Sequence, residues 1–154
     1  MDKYKQLLNR AARLCSGGEK CENDIREKLH NWGMSEADAE KAMAWLVEQQ
    51  FIDDRRFTKF YVRDKLKLNK WGRIKISYSL RQKKVDTKII EDAIAQIDEE
   101  EYMEILVSLL QHKMKSVGEL SDPKEKAKLL RFAAQRGFES ELIYSTLSKL
   151  KTED

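Results

Sequence analysis

The residues best suited to chemistry lie in QQFIDDRRFTKFYVR, residues 49–63. There Asp53 and Asp54 stand between apolar residues and a run of cations. Two adjacent carboxylates could share general acid and base roles or hold a metal ion. Acid–base work needs a third group to orient the proton, and none accompanies this pair. The cations that follow favour the charged carboxylates and so oppose the raised pKa that a general base needs. A structural use fits better. With Asp53 as the N-cap of a new helix, Ile52 becomes N′ and Phe57 becomes N4, the two positions of a hydrophobic staple. Both acids then meet the positive end of the helix dipole. The pair is read as helix punctuation, and no catalytic residue is assigned.

The other reactive groups form no site. Cys15 and Cys21 are six apart with His30 beyond, and His112 is far along the chain. This matches no zinc-ligand spacing, and a closed zinc site needs four ligands. The expectation is two reduced cysteines, no metal and no cofactor. Gly17-Gly18 is followed by Glu19-Lys20 with no strand before it, so it is not a phosphate loop. No Ser-His-Asp or Cys-His constellation occurs. The chain is expected not to be an enzyme.

Such residues must be positioned by helices. The 154 residues include one Pro and six Gly and are rich in Lys, Glu, Leu, Ala, Ile and Arg. That composition favours helix, because straight side chains lose little rotamer freedom there. Charged residues make up 37% of the chain, above the average of about 25%, so any core is thin or divided. No apolar run approaches the roughly 20 residues needed to cross a bilayer. No signal segment opens the sequence. A cytoplasmic protein with no membrane contact is expected.

An internal repeat organises the chain. IREKLHNWGMSEADAEKAMAWL from Ile25, ISYSLRQKKVDTKIIEDAIAQI from Ile76 and LLRFAAQRGFESELIYSTLSKL from Leu129 align without a gap. The apolar columns are Ile25/Ile76/Leu129, Leu29/Leu80/Ala133, Met34/Val85/Phe138, Met43/Ile94/Leu147 and Leu46/Ile97/Leu150. Each copy reads as helix, turn, helix. Gly33 and Gly137 fall where the first helix must stop, and Lys84 takes that place in the second copy. Ser35, Asp86 and Glu139 or Ser140 precede the next helix.

A third helix precedes each pair. Its expected inward residues are Tyr4, Leu7, Leu8, Ala11 and Leu14 in copy one, and Phe57, Phe60, Tyr61 and Leu68 in copy two. In copy three they are Tyr102, Ile105, Leu106, Leu109 and Leu110. Trp32 and Trp45 fall near apolar columns and are expected in the core, while Trp71 and Tyr78 are open between packing and base stacking. The fold class is all-α: three tandem three-helix repeats, at 1–50, 51–98 and 99–154, forming an elongated helical array free to curve.

The net charge of +3 hides an asymmetry. Residues 1–52 carry −1, residues 53–96 carry +7, and residues 97–154 carry −3. In the first helix of copy two, Arg56, Lys59, Arg63, Lys67 and Lys70 recur every three or four residues. The following helix adds Arg73, Lys75, Arg81, Lys83 and Lys84. A stripe of cations not interleaved with acids suits phosphate or an acidic protein surface better than bare solvent.

FIDDRRF, the basic helix, WGRIKISYSLRQKKVD and IIEDAI together resemble the RecX family of recombinase regulators. CENDIREKLHNWG and LLRFAAQRGF fit that family's flanking repeats, so the resemblance spans essentially the whole chain. The family often has Gly where Lys84 stands and Pro where Arg73 stands, departures that concern helix ends. The resemblance implies a non-enzymatic regulator that lies in the groove of the RecA–DNA filament. It usually restrains RecA's ATP hydrolysis and strand exchange, in DNA repair, recombination and the SOS response. It also implies, for some members, direct binding of single- or double-stranded DNA. The residues expected to meet RecA or DNA are Arg56, Lys59, Arg63, Lys67, Lys70, Arg73, Lys75, Arg81 and Lys83, on a monomer. The alternative is a helical-repeat DNA-binding protein that acts without RecA.

Overall fold

The computed structural model describes residues 2–119 and 121–153, with backbone alone at 151–153. Among these residues nine helices follow one another with no strand. They are α1 (Lys3–Ser16), α2 (Glu22–Asn31), α3 (Glu36–Glu48), α4 (Asp54–Lys67), α5 (Arg73–Gln82), α6 (Thr87–Ala95), α7 (Glu99–Met114), α8 (Pro123–Gln135) and α9 (Ser140–Glu153). Each copy of the repeat therefore supplies three helices.

Local chemistry sets the helix ends. Asp2, Ser35, Asp53, Asp86, Asp98 and Asp122 each accept a hydrogen bond from a backbone amide in the first turn that follows. Glu139 precedes α9, and its carbonyl accepts from Ile143 N at 3.1 Å. The turn inside each copy is a Schellman motif. Gly33, Lys84 and Gly137 have φ of 94°, 60° and 95°. Their amides bond to the carbonyls of His30, Arg81 and Ala134. The next amides, of Met34, Val85 and Phe138, reach back to Leu29, Leu80 and Ala133. This explains two of the apolar columns: they are the paired residues that close the motif, and all six are buried. Lys84 adopts the left-handed conformation without glycine's freedom, at a cost of about 1 kcal/mol.

The chain divides into two compact units. The first comprises residues 1–61 and 80–93. Its core holds Ala11, Ile25, Leu29, Met34, Ala39, Ala42, Met43, Leu46 and Ile52, with Tyr4, Leu7, Leu8 and Leu14 packed against it. Two tryptophans differ from expectation. Trp45 is 39% exposed and stacks on Phe51 at 5.7 Å. Trp32 is half-buried beneath the Arg10 guanidinium, 4.0 Å from its ring centroid. Trp32 packs against the core, and Trp45 reaches it through Phe51, each indole keeping a wet edge.

The second unit comprises residues 62–79 and 94–154. Tyr102, Leu106 and Leu110 of α7 face Leu129 and Ala133 of α8 and Ile143 and Leu147 of α9, and all are buried. Phe138 stacks tilted on Tyr102 at 5.2 Å.

The inward face of α4 differs from the one expected. Phe57 is buried, but Phe60 is 52% and Leu68 78% exposed. Thr58, Val62 and Leu66 are buried in their place. Their spacing of four puts them on one stripe, and the aromatic residues at 60 and 61 had drawn the expected stripe to one side of it.

The N-terminus of each copy's second helix packs on the next copy's turn, a relation used once within each unit. In the first unit, Asp24 of α2 meets Lys83 at 3.2 Å. In the second, the backbones themselves touch. Gly72 N donates to Arg136 O at 2.7 Å and Ile74 N to Gly137 O at 3.0 Å. A Cβ on Gly72 would overlap the Gly137 carbonyl group and sit 2.5 Å from Phe138 N.

Candidate functional site

The two acids of the opening motif each cap a different helix. Asp53 Oδ1 accepts from Arg55 N at 2.9 Å and from Arg56 N at 3.1 Å, at the start of α4. Ile52 and Phe57 are both buried, completing the staple. Asp54 Oδ1 instead accepts from Glu22 N at 2.8 Å. It caps α2, whose own N-cap residue Cys21 makes no side-chain cap bond. Burial first, and then the Asp54 carboxylate, pushes Glu22 above the usual carboxylate range. Asp53→Asn is expected to leave stability within about 0.5 kcal/mol, because Asn caps as well as Asp. Asp53→Ala and Asp54→Ala should each cost about 1 kcal/mol. Urea denaturation of the three variants checks this; a loss with Asp53→Asn as large as with Asp53→Ala would show a charge contact in place of a cap.

The sequence stripe of cations separates into engaged and free residues. In the first unit, Arg56 is engaged: its Nε lies 2.5 Å from Glu19 Oε1, and its Nη2 donates to Gln50 O at 3.1 Å. Gln50 is the left-handed residue (φ 64°) after α3, so Arg56 closes that helix's C-terminus. Lys83 is engaged by Asp24. Lys59 and Arg81 are exposed and form no ion pair among the described residues.

In the second unit, Arg73 is the most heavily engaged. It pairs with Glu139 at 2.7 Å and with Glu99, and its guanidinium lies 3.8 Å from the Tyr102 ring centroid. Tyr102 accepts from Arg73 N at 3.0 Å, taking the first amide of α5, and donates to Glu139. Burial and the Glu139 hydrogen bond push its phenol up. Lys67 meets Glu101 at 3.1 Å. Trp71 is half-buried, with Lys65 Nζ at 4.9 Å and Lys75 Nζ at 4.5 Å from its ring centroid. Two ammonium groups thus lie within cation–π range of that ring. Arg63 is exposed and Lys70 half-buried, and neither forms an ion pair among the described residues.

Residues 62–79 thus carry six cations and one acid, Asp64, on a frame fixed by Arg73 and the Gly72 contact. The acids that engage the stripe, Glu19, Asp24, Glu99, Glu101 and Glu139, lie far from it in sequence, where no local spacing announces them.

The family model for the second three-helix domain of RecX matches residues 53–94, and that for the third three-helix domain matches residues 99–147. The chain belongs to the RecX family. It is 32% identical over 155 residues to the regulatory protein RecX of Clostridium tetani (strain Massachusetts / E88), covering 99% of this chain and 71% of that one. It is 36% identical over 126 residues to the regulatory protein RecX of Clostridium botulinum (strain Eklund 17B / Type B), covering 80% of this chain. It spans 58% of the length of that RecX relative. The fold is shared with the crystal structure of RecX from Lactobacillus salivarius, at a TM-score of 0.83 and 19% identity over 97% of each chain. A second solved structure, of a regulatory protein RecX, superposes at a TM-score of 0.83 with 25% identity, over 96% of this chain and 72% of that one.

No group of three or more His, Cys, Asp or Glu among the described residues is placed to hold a metal ion. Cys15 and Cys21 are free thiols. Burial pushes the Cys21 thiol up to about 12, far from a reactive thiolate. No helix among the described residues is long and apolar enough to cross a membrane.

Proposed function

We propose that this chain is a non-enzymatic regulator that binds the RecA–DNA filament in the cytoplasm, as a monomer, and inhibits its ATPase and strand exchange. Membership of a family of regulatory proteins supports the class of function. The observation that carries the contact is the surface of residues 62–79. Of its six cations against one acid, Arg73 and Lys67 are ion-paired, and Lys65 and Lys75 lie against the Trp71 ring. Arg63 and Lys70 form no ion pair among the described residues, and with the surface residues Lys67 and Lys75 they are the cations this reading gives to an anionic partner; Lys59 and Arg81 are exposed cations of the first unit. Arg73 serves this surface chiefly by holding α5, while Arg56 and Lys83 are ion-paired within the first unit. Such a surface raises association rates and weakens with salt.

RecA-independent DNA binding is the competing outcome. Retention of the chain on immobilised RecA, with and without single-stranded DNA, separates the two. The proposal expects retention on RecA alone and stronger retention on the filament. Retention on DNA with none on RecA would contradict it.

A further inference from the structure

The repeat supplies an internal control for what the fold requires. Ile74 and Tyr78 lie four apart on α5, on one helix face, and are 57% and 61% exposed. The register fixed by the buried columns places Asn23 and Glu27 at these positions in copy one, and Ala127 and Arg131 in copy three. The same outward face is thus polar, charged or minimal in the two copies that flank it. Three-helix packing does not need an isoleucine and a tyrosine there. Lone exposed apolar residues are ordinary, but a pair on one face, in the one copy that departs from the pattern, calls for a partner.

The surroundings narrow that partner. Lys75 follows Ile74 directly, and Lys70 precedes the helix, within the segment of six cations and one acid. Opposite charge is therefore required. Nucleic acid would meet it, but a branched aliphatic side chain gains little from phosphate or sugar. The flat ring best placed to stack, Trp71, is half-buried and already carries two ammonium groups, at 4.9 and 4.5 Å from its centroid. An aliphatic–aromatic pair within a cationic segment is the complement of an acidic protein surface with an apolar pocket, where the buried anchors hold and the rim charges steer.

We infer that Ile74 and Tyr78 are the apolar anchors of a protein-binding face, with Lys70 and Lys75 as its rim, and that this face docks on an acidic protein surface and not on DNA. This rests on the proposed function in taking RecA as the protein partner.

The test compares Ile74→Asn, which places the copy-one residue on this face, with Tyr78→Gln. Both leave the charge unchanged. Binding is measured to RecA without DNA, and separately to a single-stranded oligonucleotide, with urea denaturation as the folding control. Each variant is expected to weaken RecA binding roughly 30-fold, the scale of an interface anchor. Oligonucleotide affinity should stay within about twofold, since no phosphate contact changes. Loss of oligonucleotide binding with Tyr78→Gln alone would assign the face to base stacking and overturn the inference. Unchanged RecA binding in both folded variants would overturn it as well, with the proposed function left standing. Absence of RecA binding by the unaltered chain would overturn both.

Discussion

Gly137→Ala is expected to destabilise the protein by about 4–6 kcal/mol, whereas Gly33→Ala costs about 1–2 kcal/mol. The two glycines close the same motif with nearly the same φ, 95° and 94°, so the left-handed strain of an L-residue is common to both. They differ in what surrounds them. A Cβ on Gly33 meets only the Lys3 Nζ at 3.9 Å. A Cβ on Gly137 would overlap the Lys75 Cβ and stand 2.5 Å from the Lys75 backbone nitrogen. Backbone cannot rotate aside as a flexible side-chain tip can. Accommodation means moving α5 off the turn, which adds an overpacking cost of about 1–3 kcal/mol. It also strains the Gly72 and Ile74 hydrogen bonds, each worth about 1 kcal/mol. Urea denaturation of both variants reads the difference directly. Equal losses would mean that the backbones do not touch and that the glycine at 137 serves its own turn only.

How far this architecture could be read from sequence depends on the range of the interactions. The turn is local, so the ungapped columns carried it. Leu29, Leu80 and Ala133 repeat because they pair with Met34, Val85 and Phe138 across the turn, and Lys84 takes the glycine's conformation where the alignment placed it. Asp53 as a cap was legible for the same reason. Its neighbour was not. Asp54 caps α2 across 32 residues, and nothing near either residue signals it.

Arg73 was read as part of a binding stripe by its spacing alone. Its bond to Glu139, 66 residues away, adds a structural tie that the spacing did not announce. The face of α4 was misjudged because Phe60 and Leu68 looked more apolar than Thr58, although Thr58 is fully buried. Helical periodicity gives a set of faces; which face turns inward is decided by neighbours that the local sequence does not name.

The second large effect concerns the partner. Arg63→Glu combined with Lys67→Glu reverses two charges one helical turn apart on α4, in the segment that carries six cations and one acid. Arg63 is exposed and has no ion pair among the described residues. Lys67→Glu loses the pair with Glu101 and sets two carboxylates near each other, but between side chains 43% and 38% exposed, where solvent screening holds the cost to about 1 kcal/mol. The fold should therefore persist. Binding should not, because each reversal replaces an attraction with a repulsion at the proposed contact. Juxtaposed like charges at an interface cost several kcal/mol in all. Both the attraction and its loss should shrink as salt is raised.

The decisive measurement is inhibition of RecA ATP hydrolysis on single-stranded DNA, titrated with the unaltered chain and with this double variant at equal ionic strength. We expect the half-inhibitory concentration to rise on the order of 100-fold, with thermal melting shifted by only a few degrees. An unchanged inhibition curve with an unchanged melt would contradict the account, leaving the charge of residues 62–79 without a role in binding RecA.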